Sequence, residues 1–250
     1  MKPINTIDEV IQTLDLIIEE AIKNQDSLGY FAVLYQKVTQ KVKEEIEQNY
    51  FEDGQRMEKL DVVFARRYID AFFAWKNNKP LSLCWEVAFT QATNNNLLVV
   101  QHLLLGMNAH INLDLGIAAA EISSGKNIDD LEEDFKRINN ILAAMVDDVQ
   151  RGLSSIWPFL RKVLLWLGQV DNLLVDFSMK LARNGAWNFA KHMADTKKPV
   201  WPETIQARDK KVANKAGLVT HPGKMFSLVI QIIRWTERGT VANKIQKLRR

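Results

Sequence analysis

The residues whose types and spacing could do chemistry lie on one stretch, Leu97 to Glu121, LLVVQHLLLGMNAHINLDLGIAAAE. It has the length and apolarity of a buried helix, yet it carries Gln101, His102, Asn108, His110, Asn112, Asp114 and Glu121. A carboxylate or imidazole taken out of water needs a partner, because its transfer without one is costly. Seven such groups on so apolar a helix point to a site. At 100° per residue, His110, Asp114 and Glu121 fall within about 40° of one another. Gln101, Asn108 and Asn112 fall within about 40° on the opposite side, with His102 between.

His110 and Asp114 are spaced i, i+4, so both project from one face. A carboxylate there can hold a neutral imidazole in one tautomer for acid–base work. Alternatively the two can ligate one divalent metal, joined by Glu121 about two turns on and by His192 from a later helix. A third reading is a buried hydrogen bond that ties helices together. The segment LDVVFARRYIDAFFAW sets Arg66, Arg67 and Asp70 amid aromatics. An inward arginine could clamp a carboxylate or phosphate of a ligand, or pair with Asp114 or Asp70. Arg183, Asn184 and Trp187 form a similar aromatic–polar group. Asn108, Asn112, Arg66, Arg67, Asp70 and Trp187 are therefore the candidate ligand-binding residues. One of Asp147 and Asp148 is expected to face inward, and the acidic run IDDLEEDF (128–135) reads as the solvated start of a helix. Gly106 and Gly116 make sense if another backbone or a ligand approaches closely, or if the helix kinks there. There is no zinc-finger spacing, HExxH, paired ExxH, GxSxG, P-loop or GxGxxG.

Helices must position these residues. Cap chemistry at Asn5-Thr6 opens a first helix to about Lys23, and apolar spacing predicts further helices over 31–50, 56–75 and 81–90. The central helix comes next. Others are expected over 128–152, from Trp157-Pro158, and over 169–193; two or three more lie within 203–250. Ala194 to Pro202 reads as a loop. No alternating run suggests a sheet. The expectation is an all-α fold of about nine to eleven helices around a buried polar central helix. It forms one domain over 1–250: a helical pair at 1–54, a core at 55–195 and a basic helical extension at 203–250.

Seven Trp and eleven Phe can fill a large core. The single cysteine, Cys84, excludes an internal disulfide and reads as a small core residue. The N-terminus shows no basic region followed by an apolar stretch, so the expected location is cytoplasmic. Charge is uneven: residues 1–60 hold 7 Lys/Arg against 12 Asp/Glu, residues 191–250 hold 14 against 4. The basic end could touch an anionic membrane, but residues 223–237 are expected to form a helix packing Phe226, Val229, Ile230, Ile233 and Trp235 on the bundle. Nucleic acid is not the expected partner; a small molecule is.

The segment QHLLLGMNAHINLDLGIAAA, with FARRYIDAFFAW and LCWEVAF before it and INNILAAMVDDVQ and RNGAWNFA after it, resembles the hallmark of a bacterial all-helical family of unknown function. The resemblance covers about residues 55–195. It implies an all-α fold with Asn108, His110 and Asp114 as signature positions, and it brings no reaction. The HxxxD helix is more distantly similar to ligand-bearing helices of zinc-dependent phospholipases C and nucleases. This chain departs from that class in lacking its N-terminal Trp ligand and its abundant histidines. The functional expectation is a small-molecule enzyme, a His–Asp-assisted or metal-assisted hydrolase. The alternatives are a non-catalytic binding protein for an apolar or amphipathic molecule and a structural bundle with a buried polar network.

Overall fold

A computed structural model describes residues 3–145, 153, 155–157, 179–221, 230 and 234–250. They contain ten α-helices and no strand, as the periodicity predicts. The helices are α1 (Ile7–Asn24), α2 (Gly29–Glu47), α3 (Gly54–Lys76), α4 (Leu83–Thr90), α5 (Val99–Ala109), α6 (Leu115–Ile122), α7 (Glu132–Ala144), α8 (Met179–Ala194), α9 (Trp201–Thr220) and α10 (Val241–Arg249). A π-turn, His110–Asp114, joins α5 to α6 into one rod. That rod, Val99–Ile122, is long and apolar enough to cross a membrane, but 94% of its most apolar window is buried inside the fold. Its neighbours cover it: α8 and α3 pack on α6, while α2, α4 and α9 pack on α5.

Local signals set the first helix. Thr6 caps α1 through its hydroxyl, which accepts from Glu9 N at 3.2 Å, and the Glu9 carboxylate accepts from the Asn5 and Thr6 amides. Three other helix starts are capped from far along the chain. Asp134 of α7 accepts from Glu52 N at 2.7 Å, Asp53 N at 3.1 Å and Arg56 Nη2 at 2.8 Å, closing the start of α3. Asp209 of α9 accepts from Leu83 N and Cys84 N at the start of α4. Glu237 accepts from Val99 N at the start of α5, and also from the Trp157 indole and Lys244. Each places a carboxylate where a helix leaves amide hydrogens unpaired and its dipole is positive. Asp134 thus corrects the reading of 128–135 as a solvated face: its side chain is fully buried.

The two central glycines have a steric reason. A Cβ on Gly106 would sit 2.5 Å from the Phe31 ring. One on Gly116 would sit 2.8 Å from the Ala186 carbonyl oxygen of α8. Close approach by the fold's own atoms, not by a ligand, accounts for both.

Some boundaries differ from expectation. The stretch 128–131 is a 3-10 turn before α7, and α9 begins at Trp201, inside the expected loop, because Pro202 suits the first turn of a helix. The segments 203–220 and 241–249 pack into the bundle: α9 lies on α4 and α5, and α10 returns to α1 and α2. Trp235, expected in the core, is 87% exposed, while Ile230 packs on the core. Asp147, Asp148, the helix start at Pro158, the first part of the 169–193 helix, and Phe226, Val229 and Ile233 lie outside the described residues.

Asp134→Ala should lower stability by about 3 kcal/mol, because two amides and the Arg56 guanidinium lose a buried acceptor together. Asp134→Asn should cost less. Urea denaturation of the two variants measures the difference, and similar small losses would mean that water replaces the carboxylate at this cap.

Candidate functional site

The π-turn and α3 build the site. In the turn the amide of Leu115 reaches back five residues to the His110 carbonyl, which widens the rod locally. One extra residue in a turn rotates the remainder of the rod by roughly 100° relative to a regular helix. His110 and Asp114 stay together and buried, whereas Glu121 is carried to the surface, its side chain 43% exposed.

The Asp114 carboxylate is the hub. Its Oδ1 accepts from Arg67 Nε at 2.8 Å. Its Oδ2 accepts from the Trp85 indole Nε1 at 2.8 Å and faces His110 Nδ1 at 3.2 Å. Burial alone would raise the Asp114 pKa; the Arg67 charge and the hydrogen bonds from His110 and Trp85 outweigh it and hold the pKa below the usual carboxylate value. Burial also depresses the His110 pKa below its ordinary 6.5, against the opposing pull of Asp114. The state is therefore cationic Arg67, ionised Asp114 and neutral His110. An ionised carboxylate only accepts, so the imidazole proton is on Nδ1 and Nε2 keeps its lone pair.

That Nε2 is buried and has no partner. His110 is 2% exposed and lies in a box of rings. Phe64 stacks on it with centroids 3.6 Å apart, and Tyr35 meets it edge-on at 4.5 Å. Phe31, Trp85 and Tyr68 complete the box at 5.7, 5.9 and 6.1 Å. Phe64 is the only half-buried ring of these; the other four are buried.

Further unsatisfied polar atoms gather on α2 and α3: Tyr35 Oη, Thr39 Oγ1, Asp61 Oδ2 and Tyr68 Oη. Thr39 and Tyr35 lie one turn apart with their hydroxyls near each other, but neither makes a well-formed hydrogen bond. Burial, reinforced by nearby Glu58, pushes the Asp61 pKa up to about 8, so Asp61 is a neutral carboxylic acid at pH 7. Burial first, then the Asp61 charge, pushes the Tyr35 hydroxyl well above its usual range. A native fold pairs nearly all its buried polar atoms, so such a cluster calls for an explanation.

Of the residues singled out by spacing, His110, Asp114 and Arg67 come together; Glu121 reaches Arg67 Nη1 at 3.9 Å from outside. Arg66 and Asp70 are exposed on the outer face of α3, and His192 is exposed near the end of α8. Trp187 packs on Phe135 at 4.8 Å. Asn108 and Asn112 serve α9: Asn108 Nδ2 donates to Val212 O at 2.9 Å, Asn112 Nδ2 donates to Asn108, and Arg208 Nε donates to the Asn112 carbonyl. Among the described residues no group of three His, Cys, Asp or Glu is placed to hold a metal ion. Cys84 is buried and its thiol is pushed far up by desolvation. A cavity of about 20 Å³, lined by Phe31, Tyr68, Trp85, His102 and Gly106, adjoins the box and has room for about one water.

Spacing missed Trp85, Tyr35, Phe64 and Asp61. Asp61 carried a signal: it is the one carboxylate on the apolar face of LDVVFARRYI, in register with Phe64 and Tyr68.

Residues 7–222 match the family described as "Family of unknown function (DUF5995)". No curated protein and no solved structure matches the chain.

Asp114→Ala should cost about 3 kcal/mol or more, since it strands Arg67 and the indole N–H, and Asp114→Asn should cost less. The neutral, buried His110 adds a pH dependence. Its folded pKa lies below the unfolded value, so between the two only the unfolded chain takes a proton, and stability falls as pH drops below about 6.5. Urea midpoints at pH 7.5 and pH 5 should therefore differ less in His110→Gln than in the wild type. An unchanged pH slope would mean that His110 is protonated in the folded state.

Proposed function

The chain belongs to the family DUF5995, and we propose that it is a small-molecule enzyme that works by general acid–base catalysis at His110, with hydrolysis as its reaction class. The observation that carries this is the orphan Nε2: a neutral imidazole oriented by Asp114, with its Nε2 buried and unpaired and the ring of Tyr35, whose hydroxyl is also unpaired, packed edge-on against it. Orienting an imidazole through Nδ1 while leaving Nε2 free is the arrangement a general base needs. Asp61 supplies the complementary form. One carboxyl kept ionised and another kept neutral is how a site holds base and acid at one pH.

In this reading His110 Nε2 takes a proton from a water as its oxygen attacks an acyl or phosphoryl centre. The leaving oxygen or nitrogen takes a proton from Asp61 as its bond breaks. The proton on the imidazolium then returns to the Asp61 carboxylate, and the site is reset. Tyr35 and Thr39 would hydrogen-bond the substrate's polar atoms. Access would come past Phe64, the half-buried ring that covers the imidazole, by rotation of its side chain.

One observation favours the structural reading instead: the adjoining cavity holds no more than about one water. The two readings part on the variants. The wild type should turn over one class among ester, amide and phosphodiester substrates at pH 7 to 8. His110→Gln should lower kcat by about 10²–10⁴. Asp61→Leu should abolish turnover while raising stability, because it removes an unpaired buried carboxyl. Its folded pKa is raised, so that stability gain should grow as pH rises from about 4 to about 8. No turnover of any class, with His110→Gln and Asp61→Leu differing from wild type only in stability, would assign the network to holding the fold.

A further inference from the structure

We infer that Arg183 anchors a second site, one that binds an oxyanion, a carboxylate or phosphate group of a small molecule. Arg183 is 5% exposed, and its Nε and Nη1 are buried without any partner. Each half-buried arginine among the described residues has at least one acceptor, although the Nε of Arg56 is itself buried and unpaired. Arg56 and Arg137 bond Asp134, and Arg67 bonds Asp114. Arg208 and Arg234 donate to backbone carbonyls, and Arg249 bonds Glu19 and Asp15.

A guanidinium cannot shed its charge to escape the cost of burial. Burial pulls the Arg183 pKa down only to about 10, so the group stays cationic at neutral pH. Among the described residues no acidic side chain offsets it. A fold does not keep an uncompensated cation in its interior unless something pairs with it. The planar fork of a guanidinium matches two oxygens of a carboxylate or phosphate.

The surroundings narrow the class. Arg183 lies on the α8 stripe that continues, at helical spacing, through Ala186, Trp187 and Ala190. Ala186 and Ala190 belong to the apolar cluster of Ile111, Leu115 and Ala118, and Trp187 packs on Phe135. An oxyanion with a small apolar body suits that stripe. This site is independent of the acid–base reading at His110, because none of its residues belongs to the Asp114 network.

Thermal melts of the full chain test it, in sodium phosphate, sodium acetate and sodium hexanoate against sodium chloride at equal ionic strength. The wild-type Tm should rise by a few degrees in an oxyanion relative to chloride, and the salt giving the largest rise names the class. Arg183→Met should match or exceed the wild-type Tm in chloride, since a lone cation gives way to an apolar chain, and should show no oxyanion-specific rise. A lower Tm for Arg183→Met in chloride would mean that a protein acceptor has been stranded, and would overturn the site. So would equal rises in both proteins, or none in the wild type. If Arg183→Met yields no folded protein, the arginine Nε–H resonance missing from the Arg183→Lys spectrum decides the matter. It should move in the wild type on adding the effective anion, and an unmoved resonance overturns the inference.

Discussion

Everything at the centre of this fold depends on one buried carboxylate. Asp114 takes a charge-bearing hydrogen bond from Arg67 on α3, an indole hydrogen bond from Trp85 on α4 and an imidazole proton from His110 in its own π-turn. The π-turn, α3 and α4 are thereby fixed to one group. The ion pair also sets the chemistry. With Arg67 beside it Asp114 stays ionised, and an ionised Asp114 dictates which imidazole nitrogen carries the proton. Without Arg67, burial would push the carboxyl toward its neutral form, and His110 would lose the reason for its tautomer.

The same device recurs around the centre. Asp134, Asp209 and Glu237 each carry a carboxylate to a helix start more than eighty residues away in the chain, counted from their amide partners. These acids connect the bundle's layers through backbone amides, which gives polar specificity to a core otherwise built from Trp85, Tyr68, Phe72, Leu105 and Leu113. Against that background, the unpaired atoms of Tyr35, Thr39, Asp61, Tyr68, His110 and Arg183 stand out, with the Nε of Arg56 beside the Asp134 cap. Those of Tyr35, Thr39, Asp61, Tyr68 and His110 lie on α2, α3 and the π-turn, and those of Arg183 on α8.

The helices and the Asp114 hub were legible in the sequence because their signals are local. Apolar period marks α1 to α3, and His110 and Asp114 sit four apart on the most apolar segment of the chain. That Arg67 rather than Arg66 turns inward also agrees with α3's register with Phe64 and Tyr68. The π-turn was not legible, because a regular 100° step cannot reveal an inserted residue, and it is what carries Glu121 to the surface. Nor were the distant caps: Asp134 looks like any acid near a helix start until the amides of Glu52 and Asp53 are brought beside it. Asn108 and Asn112 looked like pocket groups for the same reason. Their partners are the carbonyl of Val212 and a side chain of Arg208, which only the return of α9 supplies.

Nitrogen-15 NMR of the His110 ring probes the Asp114 hub at its decisive point. Long-range proton–nitrogen correlation distinguishes a protonated from an unprotonated ring nitrogen. The expected result is a neutral ring with the proton on Nδ1 and a bare Nε2, which takes up a proton only at a pH below the ordinary imidazole value. An imidazolium that titrates near the ordinary value of about 6.5, or a ring with its proton on Nε2, would contradict an ionised Asp114 holding a neutral imidazole.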